Sequence, residues 1–271
     1  MTAASHLQGA CALSFRHQEI LEIARRDGRV LVDDLAEHFG VTHQTIRRDL
    51  TELAEDGQLN RVHGGAILRS SVHNLRYEDR RRLNEEAKDG IAAACAAIIP
   101  EHASLFLNIG TTTEAVARAL LGRPNLMVVT NSINVANILA EAPSCEIVLA
   151  GGTLRRFDGG LTGALTMRVI EQFKVDIAVI GCSAMDEDGD LLDFDPQEVG
   201  VSQTIIAQAR RTYLVADHMK LARTAPVRIA SMADLSGLFT DRPLPPVLAR
   251  RCASWGTEVV VTDDLAGVEP G

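Results

Sequence analysis

Between residues 85 and 261 the chain alternates runs of helical spacing with short runs of strand-forming residues, a rhythm suited to a largely parallel sheet covered by helices. Helical spacing covers 85–99, 113–121, 135–141, 164–173 and 198–210, and strand-like runs cover 104–109, 126–130, 146–150, 176–181, 212–216 and 258–261. In open sheets of this kind ligands bind beyond the carboxyl ends of the strands, so a site is expected there. With 46% hydrophobic but only 4% aromatic residues, the core must be aliphatic. The longest strongly apolar run is nine residues, 91–99, well short of the roughly 20 that a membrane span needs. Residues 1–15 contain no Lys or Arg, hence no charged start of a secretory signal, and the cytoplasm is the expected address. Cys11, Cys95, Cys145, Cys182 and Cys252 are scattered, with no CxxC pair. They suggest neither a disulfide framework nor a metal site and read as small buried hydrophobes; no cofactor is expected.

The net charge of −9 argues at first against a nucleic-acid partner, but its distribution points the other way. Residues 1–82 hold twelve Arg, no Lys and twelve acidic residues, and six of the eight His. Residues 83–271 hold 15 basic against 24 acidic residues, so the whole deficit of nine lies there. Two functional bodies are expected: 16–68, then a polar, charge-dense linker over 69–84, then 85–271. Residues 1–15 read as a disordered extension.

The first body has the pattern of a winged helix-turn-helix. Ile20, Ile23 and Ala24 mark a helix over 16–26, stopped by Asp27 and Gly28. Leu35, Ala36 and Phe39 mark a second helix, ended by Gly40. Thr42 is a good N-cap for a third helix reaching about Asp56, whose Ile46, Leu50 and Leu53 form one buried stripe. The opposite face then carries His43, Gln44, Arg47, Arg48 and Thr51. Two helices across a Gly-containing turn, the second presenting amide, imidazole and guanidinium groups, suit a DNA major groove. Gln pairs with adenine, and Arg with guanine or phosphate. Residues 59–66 suggest a hairpin wing whose Arg61 and His63 touch the backbone or minor groove. The plainer alternative is a three-helix packing module with a solvated Arg face.

In the second body, Asn108-Ile109-Gly110-Thr111-Thr112-Thr113 carries a strand into a Gly, three hydroxyls and a helix. Free amides at a helix start, with the dipole and hydroxyls, make an anion cradle for which phosphate is the natural guest. The same residues also read as a simple capping turn. Asn131, Gly151, Gly152, Arg155 and Lys220 lie at other strand ends, where each equally reads as a cap or loop residue. Arg155 and Lys220 suit a phosphate's charge; Asp193, Asp195 and Glu198 suit the hydroxyls of a sugar or polyol. Neither a Walker lysine motif nor GxGxxG occurs.

Val41-Thr42-His43-Gln44-Thr45-Ile46-Arg47-Arg48-Asp49-Leu50, then Leu53, Gly57 and Arg61-Val62-His63-Gly64-Gly65-Ala66, resembles the DeoR family of bacterial transcriptional regulators. That family's motif reads V-S-x-x-T-I-R-R-D-L, followed by a wing ending H-G-G-A; Thr42 stands for the usual Ser and still caps. The resemblance adds Thr45 to the DNA-reading set. The second body resembles the family's sensor domain, whose fold is similar to that of ribose-5-phosphate isomerase and related sugar-phosphate enzymes. Gly151, Gly152 and Arg155 with Asp158, then Gly189 to Asp195 with Glu198, and Phe239 to Pro246 narrow the resemblance to members answering to glycerol 3-phosphate. It implies a repressor that leaves double-stranded operator DNA when a phosphorylated sugar or polyol occupies Asn108, Gly110, Thr111, Thr112, Thr113, Asn131, Gly151, Gly152, Arg155, Asp193, Glu198 and Lys220. Four positions depart from the family pattern: Asn108 for Asp, Gly200 for a polar residue, and Met219 and Ala222 for Ser and Gly.

A two-fold operator calls for a homo-oligomer. The other function class is a sugar-phosphate isomerase or deaminase tethered to a DNA-binding module, with Asp193, Asp195 and Glu198 moving protons. The sequence sets no His or Lys beside those carboxylates, so a non-enzyme is expected. A third class is a constitutive DNA binder whose second body only oligomerises.

Overall fold

The computed structural model describes residues 15–24, 29–56, 58–62, 64–68 and 77–262. The chain divides into two units, Met1–Ser71 and Val72–Gly271. The extension expected over 1–15 falls, apart from Phe15, outside the described residues.

In the first unit, residues 15–24 form α1, Val32–Phe39 α2 and His43–Glu55 α3. Gly40 closes α2 in the left-handed conformation that glycine adopts without steric cost, and the Thr42 hydroxyl accepts the Thr45 amide at the start of α3. Ile20, Ala24, Leu35, Ile46, Leu50, Leu53 and Leu59 form a closed apolar core. The wing is the expected hairpin, β2 (Leu59–Val62) and β3 (Gly65–Leu68), joined by an unforeseen strand β1 (Arg29–Leu31), in the antiparallel order β1-β3-β2. Val30 pairs with Ala66, so the signal for β1 lies 36 residues away and leaves no local pattern. Its passage explains one glycine of the wing: a Cβ on Gly65 would stand 2.0 Å from the Val30 carbonyl oxygen.

The second unit opens with α4 (Tyr77–Arg82) and α5 (Glu85–Ala97). Thus part of the segment expected as linker is helical. Its frame is a seven-stranded, wholly parallel sheet of β4 (Ser104–Leu107), β5 (Met127–Thr130), β6 (Glu146–Leu149), β9 (Val175–Ile180), β12 (Ala209–Val215), β14 (Gly237–Thr240) and β15 (Glu258–Val261). The order is β15-β14-β12-β9-β4-β5-β6. Six of these strands answer to the six expected; β14, which runs into the motif starting at Phe239, is the addition. Leu105, Leu107, Val128, Ile177 and Val179 meet α5, α6 (Thr111–Ala119) and α7 (Ile133–Leu139) on one face. Phe106, Val129, Ala178, Ile180 and Leu214 meet α8 (Ala164–Ile170), α9 (Pro196–Ala207) and α10 (Pro246–Trp255) on the other. Burial on both faces is why these strands read as continuous aliphatic runs.

Two small antiparallel sheets complete the unit: the ribbon β7 (Thr153–Leu154) with β8 (Leu161–Thr162), and β10 (Ala184–Met185), β11 (Asp190–Asp193) and β13 (Val227–Ser231) in the order β10-β11-β13. Cys95, Cys182 and Cys252 are buried as expected, while Cys145 is partly exposed. No helix among the described residues is long and apolar enough to cross a membrane.

Candidate functional site

On α3 the buried stripe and the polar face separate as the spacing requires. Ile46, Leu50 and Leu53 are buried, whereas Thr42, His43, Gln44, Arg47 and Arg48 are exposed, with Thr45 between. The two arginines differ: Arg48 Nε donates to Glu52 Oε1 at 2.9 Å, whereas Arg47 has no ion-pair partner among the described residues. His43 Nε2 lies 3.4 Å from Asp33. The acidic residue of the motif, Asp49, points inward; it is 1% exposed and takes both ends of the Arg16 guanidinium, with His17 Nε2 at 3.5 Å. It therefore locks α1 to α3 and presents nothing outward. Arg61 is exposed on β2, and His63 lies outside the described residues.

In the second unit the sheet decides where a ligand can sit. From β4 the chain goes to β5 and β6 on one side, then returns to β9, β12, β14 and β15 on the other, so the strand order reverses between β4 and β9. Crossover connections diverge at such a point and leave a crevice at the carboxyl ends. A pocket opens there, lined by Ile109 to Thr113 after β4, Gly181 to Ser183 after β9, Asp193 on β11, Glu198 on α9, Val215 at the end of β12, Lys220 and Arg80 of α4. Lys220 sits in the 3-10 turn His218–Ala222 that follows β12.

Gly110 begins α6 with φ +144°, a conformation that L side chains rarely adopt. Thr113 Oγ1 donates to the Gly110 carbonyl at 2.8 Å, tightening the turn. The amides of Thr111, Thr112 and Thr113 have no carbonyl one turn back, so they and the helix dipole favour a negative group. Burial and the neighbouring Arg223 push the Lys220 ammonium down to about 8.

Carboxylates line the pocket as well. Asp193 Oδ1 accepts the Phe194 amide at 2.6 Å. Arg155 Nη1 donates to Glu198 Oε2 at 2.6 Å and Asp195 Oδ2 at 2.9 Å, and its other edge binds Asp158, with the guanidinium 4.9 Å above the Phe157 ring. Burial lowers the pKa of Arg155, but Glu198 and Asp158 outweigh it and the net shift is upward. Burial raises that of Glu198, with Asp193 adding and Arg155 opposing. Cys182 is inert as a nucleophile, because burial pushes its thiol up to about 12.

Of the residues singled out for the effector, Gly110, Thr111, Thr112, Thr113, Asp193, Glu198 and Lys220 converge on this pocket. Arg155 stands behind it, fixing Glu198. Asn108, Asn131, Gly151 and Gly152 are not in the lining. Asn108 Nδ2 donates to Ser202 Oγ on α9 and its Oδ1 accepts the Ile109 amide, a tie between β4 and α9. Asn131 Nδ2 donates to the Leu161 carbonyl, holding β8. A Cβ on Gly152 would stand 1.9 Å from Thr166 Oγ1, whose hydroxyl donates to the Gly151 carbonyl. Met219 is packed in the interior and Gly200 lies against Met167, so neither departure from the family pattern enters the lining. Two features escaped the sequence. The carboxylates do share their pocket with a basic group, because β12 is hydrogen-bonded beside β9 and brings Lys220 into the same lining. Arg80 enters from a helix in the stretch expected as linker, and only the charge density of 77–82 hinted at it.

Comparison with known proteins agrees with both halves. Residues 16–72 match the DeoR-like helix-turn-helix domain and residues 83–242 the DeoR C terminal sensor domain. The glycerol-3-phosphate regulon repressor of Escherichia coli (strain K12) is 47% identical over 232 residues, 86% of this chain and 92% of that protein. The repressor of the same name from Haemophilus influenzae is 47% identical over 227 residues, 84% and 89% of the two chains. The HTH-type transcriptional repressor CsqR of E. coli (strain K12) is 39% identical over 251 residues, 93% and 96%. A solved D-ribose-5-phosphate isomerase in complex with phospho-erythronic acid overlaps 51% of this chain and 54% of its own, with a TM-score of 0.39 and 18% identity. With both domains matched and 47% identity to such repressors over more than four-fifths of its length, the chain belongs to the DeoR family of transcriptional regulators.

Proposed function

We propose that this protein represses transcription by holding operator DNA with Thr42, His43, Gln44, Thr45, Arg47, Arg48, Arg61 and His63, and that glycerol 3-phosphate in the sensor pocket releases it. The observation that carries the effector reading is the make-up of the lining, which combines helix-start amides, threonine hydroxyls, Lys220 and Arg80 with the carboxylates Asp193 and Glu198. Phosphate suits the first set, and the hydroxyls of a short polyol suit the second. In this reading Asn108 ties the end of β4 to α9 and Arg155 fixes Glu198, whereas Asn131, Gly151 and Gly152 act at one remove, through the packing around β8 and α8. Release requires that the ligand bind the DNA-incompetent state more tightly than the competent one. The protein works in the cytoplasm as a homo-oligomer matched to a two-fold operator.

The test is fluorescence anisotropy of the protein on its own upstream DNA at fixed salt, with and without millimolar glycerol 3-phosphate. Release by that ligand, with inorganic phosphate inert, is the expected outcome. Tight binding indifferent to it, but abolished by another sugar phosphate, would move the effector assignment. Lys220 in one lining with Asp193 and Glu198 favours one alternative, catalysis on a sugar phosphate. We read these groups as a binding set, because Glu198 is tied up by Arg155; steady turnover of ribose 5-phosphate or glucosamine 6-phosphate would refute that reading.

A further inference from the structure

The helix α4 is only six residues long, too short to hold itself in water, so its position depends on what grips it. Three grips are visible. At its start, the Tyr77 hydroxyl lies 2.8 Å from both carboxylate oxygens of Glu114, which sits one turn into α6. Asn134 Nδ2 on α7 donates to the same Tyr77 oxygen at 3.0 Å. At its end, the buried Lys88 ammonium donates to the carbonyls of Arg80 and Leu83. Between these, Arg80 sends its side chain into the effector pocket.

That guanidinium is poorly satisfied by the protein. Arg80 Nε is buried without an acceptor among the described residues, and its nearest ion-pair contact is Asp158 Oδ2 at 4.0 Å, an oxygen already taken by Arg155. A buried charged donor lacking an acceptor costs free energy, and a phosphate oxygen is the acceptor that suits the guanidinium's planar donor edge. The chain leading from the wing enters the second unit through α4.

We propose that Arg80 is a direct phosphate ligand and that, being carried by α4, it reports pocket occupancy to the chain segment leading to the DNA-binding unit, with Tyr77 setting the position of α4 against α6. This deepens the effector reading and rests on it. Effector binding would alter how α4 is gripped, rather than act only on the sheet.

The test uses the full-length protein and its upstream DNA, with glycerol 3-phosphate and inorganic phosphate as probes. Calorimetry gives ligand affinity; anisotropy gives operator affinity with and without ligand for each variant. Arg80→Ala is expected to weaken glycerol 3-phosphate binding at least tenfold, and Arg80→Lys, which keeps charge and stem but loses the planar donor edge, by less. Tyr77→Phe is expected to leave ligand affinity within about threefold while reducing the ligand-induced loss of operator affinity by tenfold or more, a split that a residue acting only on folding would not produce. A folded Arg80→Ala protein that binds the ligand as the wild type does would overturn Arg80 as a ligand. A Tyr77→Phe protein released from DNA as readily as wild type would overturn the reporting role. Wild-type protein that binds neither probe would overturn the effector reading itself, and this inference with it.

Discussion

At the residue scale, α3 contains three charged side chains in consecutive positions that do different things. Arg47 is exposed and uncommitted, Arg48 is engaged by Glu52, and Asp49 is buried under Arg16. Replacing Arg47 with Ala is expected to weaken operator binding by about 1–3 kcal/mol, the range for a good base contact, with folding unchanged. Arg48→Ala should cost less, because its charge is already partly neutralised; anisotropy titrations on one operator at one salt concentration compare the two. Asp49→Ala acts differently: it removes the paired hydrogen bonds from Arg16 that tie α1 to α3 and should lower the stability of the first unit by about 2 kcal/mol, seen in urea unfolding, with loss of DNA binding following from unfolding. The sequence motif alone does not separate these roles. Three adjacent charges look alike until the helix phase and the position of α1 are known.

At the scale of elements, most boundaries were legible because each depends on its own residues. The stripe Ile46, Leu50, Leu53 and the cap Thr42 define α3 locally, and Thr42→Ala should cost about 1 kcal/mol of stability in thermal or urea melts. The ribbon β7–β8 was not legible. Its strands have two residues each and exist because Thr153 and Leu154 pair with Thr162 and Leu161. Gly152 belongs to that packing, so Gly152→Ala should destabilise the second unit by about 2 kcal/mol or more by forcing a Cβ against Thr166 and the Thr162 carbonyl. A melt unchanged from wild type would show that the ribbon yields freely. Likewise β1 and β14 took shape from partners far along the chain, which propensity cannot see.

At the scale of the whole molecule, charge in the pocket links ligand binding to protons. Lys220 is pushed down to about 8 by burial and by Arg223. A bound phosphate stabilises its charged form and raises that value. Binding must then take up protons as the pH rises through 8, and effector affinity must fall above that pH, since neutral Lys220 offers the anion less. The ligand's own second ionisation lies near pH 6 and is complete there. Calorimetry at pH 8.5 in two buffers of different ionisation heat should show uptake of up to about three-quarters of a proton per site, absent in Lys220→Gln. Equal heats in both buffers would overturn the proton linkage through Lys220.

What the sequence by itself determined is whatever rests on neighbours in the chain: two bodies of different charge, the exposed polar face of α3, and the Gly-Thr-Thr-Thr start of a helix after a strand. Periodicity, capping and motif spacing are local, and they survive in any arrangement of the elements. What only the tertiary structure decided is which strand ends meet. The order β15-β14-β12-β9-β4-β5-β6 puts the ends of β4, β9 and β12 together at the reversal point. It leaves Asn131, Gly151 and Gly152, which follow β5 and β6, out of the lining, and brings in Lys220 from 107 positions beyond Thr113. Arg80 enters by the same logic, because α4 is gripped by Glu114, Asn134 and Lys88 rather than by anything in its own sequence. Strand pairing is a choice among distant partners, and the side chains at a strand's end carry no record of which neighbour that strand will find.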